Sequence, residues 1–130
     1  MCVFCEIVKG NIPSKKIYED EKILAILDIS QTTYGHTLVM PKNHYENILE
    51  CPKEELHSVI EKVQELARKI TTNLNAKGFN ILVNTGETAG QTVPHLHFHI
   101  IPRYKEDDSI KVEFSENKFN LDEVQKEILK

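Results

Sequence analysis

The chain has no tryptophan, so an indole clamp over a ligand is excluded. It has no surplus of basic residues either: 16 Lys and Arg stand against 20 Asp and Glu, for a formal net charge of -4. A general nucleic-acid binder needs a basic surface, and none is provided here. Small anionic substrates stay open, because local donors can outweigh a weakly acidic whole. No apolar run approaches the roughly 18 residues that span a bilayer. The opening Met1-Cys2-Val3-Phe4-Cys5-Glu6 lacks the basic and long apolar regions of a secretory signal. Three cysteines, an odd number, supply no disulfide framework. A cytoplasmic location is the expectation. Without an internal repeat, low-complexity tract or linker, residues 1–130 are expected to form a single domain with a real core.

What is present begins with periodicity. Leu56, Val59, Ile60, Val63, Leu66, Ala67, Ile70 and Leu74 recur at three- and four-residue steps after Pro52, which predicts an amphipathic helix of about 22 residues. Residues 2–9 predict a helical turn ended by Gly10. Strands are expected over residues 16–19 and 22–28, turning at Asp20-Glu21, then over 36–40, 79–84 and 95–101. Asn120, with Glu123 three residues on, caps a last helix from Leu121. The fold class is therefore α+β: a five-stranded antiparallel sheet with one long helix on one face and a short N-terminal helix.

Half of the six histidines, His95, His97 and His99, fall on alternate positions separated by Leu96 and Phe98. Period two belongs to a strand, where such residues share a face with α-carbons roughly 6.7 Å apart. Three readings follow: solvated or hydrogen-bonded histidines, a metal site, or phosphoryl chemistry with an imidazole nucleophile. The preceding loop favours the third. Gly86, Gly90, Gln91 and Thr92 offer backbone amides and short polar side chains that wrap an anion.

His95-Leu96-His97-Phe98-His99-Ile100-Ile101 resembles the signature of the histidine-triad (HIT) superfamily of nucleotide hydrolases and transferases. Phe4 to Pro13, Leu27 to Ser30 and Gly35 to Lys42 are similar to its other segments, so the resemblance covers nearly the whole chain. The nearest similarity is to bacterial Hint-like proteins. The resemblance implies cleavage at the α-phosphorus of a purine nucleoside 5'-phosphate derivative, such as an adenosine phosphoramidate, aminoacyl adenylate or dinucleoside polyphosphate. It makes His97 the nucleophile and His99 a donor to a phosphoryl oxygen, with His95 and His36 completing the catalytic set. Asp28 is implied as the ribose acceptor, and Ile29 and Ile26 as the walls around the base. Asn84 is implied to fix the ribose side or the loop, and Gly90, Gln91 and Thr92 to supply phosphate donors. Two-fold homodimers through the long helix and a sheet edge are implied as well. A nucleotide-binding regulatory module with little turnover is the alternative, and a histidine-strand metalloenzyme a third option.

Cys2-x-x-Cys5 has several meanings on its own: a redox pair, two small apolar residues on a helix, or half of a zinc site. The same resemblance completes a structural zinc site with His44 and His95. Cys51 and His57 fit no motif.

Overall fold

The computed structural model describes residues 2–130. Its elements in chain order are α1 (Val3–Val8), β1 (Lys16–Glu19), β2 (Ile23–Leu27), β3 (Thr37–Pro41), α2 (Lys53–Leu74), β4 (Gly78–Leu82), β5 (Phe98–Arg103) and α3 (Leu121–Leu129). The five strands form one antiparallel sheet in the order β1-β2-β3-β5-β4. The α+β expectation holds.

Alternation decides which face each strand residue serves. Ile23, Ala25, Val39, Phe98 and Ile100 pack on one face against Val59, Val63, Leu66, Ala67 and Ile70 of α2. Burying each of these side chains larger than alanine stabilises the fold by about 1.5–3 kcal/mol. Leu24, Ile26, Leu38 and Met40 point to the other face and meet Phe4 and Ile7 of α1. Because β2 and β3 are covered on both sides, they read as continuous apolar runs. Ile60 departs from the expected helix stripe: it is exposed, on the flank of α2 away from the sheet.

The polar stops behave as their chemistry dictates. The Cys2 thiol accepts from the Cys5 N–H and caps α1, while Gly10 ends it with φ +83°. Asn75 closes α2 in the left-handed conformation. The Asn120 side chain accepts from the Asp122 and Glu123 amides and starts α3 as expected.

One boundary differs in a way that matters. β5 pairs with its neighbours only from Phe98, not from His95. Upstream, the chain bends at Val93 to His95, and the Leu96 N–H goes to the Tyr45 carbonyl at 2.7 Å. His95 and His97 therefore precede the ladder, and His99 alone of the three belongs to it.

Candidate functional site

His99 lies opposite Leu38 in the sheet, which puts it on the α1 face, away from α2. A cavity of about 430 Å³ opens there between α1, β2 and the entry to β5. Ile26, Asp28, Ile29, Thr92, His97 and His99 all line it. Ile29 is 98 % exposed at its rim, an apolar side chain held out to solvent beside the buried Ile26.

Hydrogen bonds fix the tautomers of the rings. His97 Nδ1 sits 2.7 Å from the His95 carbonyl. A carbonyl only accepts, so Nδ1 carries the proton and Nε2 keeps its lone pair. On His36 the sense is reversed: the Thr32 N–H donates to Nδ1 at 3.3 Å. His36 Nε2 therefore holds the proton and donates to His99 Nδ1 at 2.9 Å. That leaves the proton of neutral His99 on Nε2. Among the described residues no buried side-chain nitrogen or oxygen lacks a partner, so the unpartnered Nε2 atoms of His97 and His99 are open to the cavity. One site thus presents a bare nitrogen and an N–H side by side, on rings 5.0 Å apart.

Burial keeps these rings neutral. It pushes His97 and His36 below the usual imidazole range, and His99 down to about 4, where His97 and His36 add to the effect. Asp28 works the other way on all three, with Oδ2 3.6 Å from His36 Nε2. Its Oδ1 accepts from the Ser30 N–H.

His95 turns elsewhere. Its ring is fully buried, and Nε2 donates to the Pro41 carbonyl at 2.8 Å, which frees Nδ1. That nitrogen stands 3.4 Å from Cys2 Sγ, 3.6 Å from Cys5 Sγ and 3.3 Å from His44 Nδ1, and Cys5 Sγ is 3.4 Å from His44 Nδ1. Tetrahedral zinc bonded to two thiolates and two imidazoles would need N···N of about 3.3 Å and S···N of about 3.6 Å. The four side chains therefore fit the ion. Burial and the Cys2 side chain push the Cys5 thiol up, the opposite of what a reactive redox thiol requires.

The loop before β5 differs from the phosphate-cradle expectation in part. Thr92 reaches the cavity; Gln91, Gly90 and Asn84 do not line it. The Gln91 amide is engaged in bracing: Nε2 donates to the Glu46 and Val93 carbonyls, and Oε1 accepts from the Gly86 N–H. Asn84 donates to the Gly90 carbonyl across a 3-10 turn at Glu87–Ala89. Both residues shape the loop rather than face the cavity. Phe4 was given no role from sequence, yet its ring meets that of His97 edge-on at 5.0 Å. Its place in a helix opening that resembles the superfamily was the available signal. The Thr32 amide, which sets the tautomer of His36, left no signal, since a backbone group has no identity in the sequence.

Fold and site define a class, and comparison with known proteins agrees. The HIT domain model matches residues 9–106, and the chain belongs to this family. An uncharacterized HIT-like protein of Methanocaldococcus jannaschii is 50% identical over 129 residues, covering 98% of each chain. The adenosine 5'-monophosphoramidase of Schizosaccharomyces pombe is 40% identical over 111 residues, 85% of this chain and 80% of that one. A solved HIT-family protein from Bacillus subtilis superposes with a TM-score of 0.92 at 44% identity, over 98% of this chain and 94% of that one. A zinc-bound histidine triad family protein from Mycobacterium smegmatis does so with a TM-score of 0.77 at 46% identity, over 82% and 77%.

Proposed function

We propose that this chain hydrolyses purine nucleoside 5'-phosphate derivatives through a nucleotidyl-histidine intermediate on His97. The observation that carries the reading is the pair of opposite tautomers in one cavity, a bare Nε2 on His97 beside an Nε2–H on His99. His97 Nε2 attacks the α-phosphorus, and the bond from phosphorus to the leaving amine or phosphate breaks. Its electron pair goes to the leaving group, which takes up a proton from solvent; the water that attacks afterwards returns one. The ring then carries positive charge, which the His95 carbonyl supports through Nδ1–H. His99 donates to a non-bridging oxygen as negative charge grows there. Water next attacks phosphorus, Nε2 departs neutral, and the nucleoside 5'-monophosphate is released. The Asp28 carboxylate accepts from the ribose hydroxyls, Ile29 and Ile26 flank the base, and Thr92 lies beside the phosphate. A module that only binds nucleotide has no use for an open, unprotonated ring nitrogen, which favours turnover.

Cys2, Cys5, His44 and His95 would hold zinc, which supplies a fixed cross-link between the N-terminal segment and the strand entry. The ion would sit behind His97, not in the cavity. The exposed Phe79, Ile81 and Leu82 on β4, at the sheet edge, support pairing into homodimers, which light scattering on the purified protein tests.

The deciding experiment is a fluorogenic adenosine 5'-phosphoramidate assay combined with rapid acid quench and mass spectrometry. Turnover with an adenylyl group on the peptide bearing His97 is expected. His97→Ala should bind nucleotide without turning it over, and normal turnover in that variant would end the proposal.

A further inference from the structure

Asp28 and His36 stand at the two ends of one loop, and a single side chain ties those ends together. Gln31 Nε2 donates to the Asp28 carbonyl at 2.6 Å and to the His36 carbonyl at 2.8 Å. Its Oε1 accepts from the Gly35 N–H at 2.8 Å and from the His36 N–H at 3.1 Å. All four bonding positions of the amide that matter here are used, and all go to backbone. The Asp28 N–H closes the base of the loop on the His36 carbonyl at 3.0 Å. Gln31 faces away from the histidine cavity, into a groove on the other side of the sheet with Tyr34, Gly35 and Leu74. It does not line the histidine cavity, and it meets Asp28 and His36 through their backbones alone.

We infer that Gln31 is a positioning residue for the nucleotide site. It sets the backbone of Asp28, and hence the ribose acceptor, and the backbone of His36, and hence the bond that directs the His99 proton. The inference rests on the reading of the site given above. Two other fasteners hold the same loop from outside. Thr33 Oγ1 donates to the Pro102 carbonyl at 2.6 Å, and the Tyr104 hydroxyl to the Tyr34 carbonyl at 2.6 Å. These bind the loop to the end of β5 without gripping Asp28 or His36. Thr33 thus offers a control in which the loop is weakened and the brace is left intact.

Gln31→Met keeps length and bulk and removes every hydrogen bond of the amide. Thr33→Val removes one buried hydrogen bond at matched shape. Both are compared with wild type by thermal melting, by steady-state kinetics on adenosine 5'-phosphoramidate, and by nitrogen-15 NMR of the histidine rings without substrate. In Gln31→Met the His36 Nε2–H signal should be lost or broadened, KM should rise, and kcat should fall, for a combined loss of about 10- to 100-fold in kcat/KM. Thr33→Val should keep that signal and stay within about threefold of wild type in kcat/KM. An unchanged His36 signal in Gln31→Met, or an equal loss in both variants, would overturn the inference. If the wild type proves inactive on nucleotides, the proposed function fails, and the NMR comparison still decides whether Gln31 sets the His36–His99 bond.

Discussion

His36 Nε2 and His99 Nδ1 stand 2.9 Å apart, and the proton between them belongs to His36 because Thr32 donates to its other nitrogen. His36 is buried and lines no part of the cavity, so under the proposed function it would act on substrate through the side chains it meets there, His99 at 2.9 Å first and Asp28 at 3.6 Å. Replacing it with alanine frees the His99 ring to adopt either tautomer. The expected result is a drop in kcat on the order of 10²-fold or less, with KM for the nucleotide changed little. Steady-state kinetics on adenosine 5'-phosphoramidate checks this. A proportionate rise in KM with constant kcat would point to a binding role instead.

The same pair makes stability pH-dependent. Burial lowers His36, and His99 falls to about 4. Unfolded imidazoles protonate near 6.5, so between these values the unfolded chain binds protons that the folded chain refuses. Stability is therefore full above about pH 6.5 and is lost as pH falls toward 4. For His99 the effect is at most on the order of 3 kcal/mol, reduced by screening because the ring is partly exposed. Thermal melts from pH 7.5 to 4.5 should show the decline, and His99→Gln should make it shallower while the buried His36 and His97 keep part of it.

Local pattern carried much of this molecule. The α2 stripe, the strand runs of β2 and β3, and the Asn120 cap are all properties of neighbouring residues, and all were legible. The entry to β5 was not. Strict alternation from His95 to Ile101 predicts a strand throughout, but the Leu96 N–H pairs with Tyr45, on the connection between β3 and α2. Gln91 likewise has the composition of a phosphate donor, while its partner is the Glu46 carbonyl, 45 positions away. Such contacts depend on where a distant loop lies in space, which neither periodicity nor residue type records. The resemblance to the HIT superfamily nominated residues for the cavity, and Asp28, Ile29, Ile26, Thr92, His97 and His99 are the ones the fold brings together there.

Gly35 precedes His36 with φ +95°, a conformation that side chains resist. An added Cβ would also overlap Leu74 Cδ1 at the end of α2. That atom is the tip of a flexible, half-buried side chain bordering a groove, so it can swing aside and the backbone strain dominates. Gly35→Ala should therefore destabilise the fold by about 1–3 kcal/mol through backbone strain. Its effect should reach the site, since the Gly35 N–H is one of the groups held by Gln31. Denaturant unfolding measures the first effect and the phosphoramidate assay the second. A variant as stable as wild type would show that the loop relaxes freely.

The carbonyl of His95 holds the proton on His97 Nδ1, while the ring of His95 reaches into the cysteine cluster. One residue therefore joins the candidate zinc site to the candidate nucleophile. Cys5→Ser removes one ligand without touching the cavity wall, because Cys5 does not line it. Elemental analysis should find about one zinc per wild-type chain and well under half that in the variant. Its melting temperature should fall, as loss of a structural metal predicts. Turnover should fall as well, through a less fixed His95 backbone, and adding zinc to chelated wild type should restore both. Retained activity at normal rate in metal-free, folded protein would sever the link between His95 and His97. Activity that followed zinc while the melting temperature stayed fixed would instead place the ion in the chemistry, against the position of its four candidate ligands behind the nucleophile.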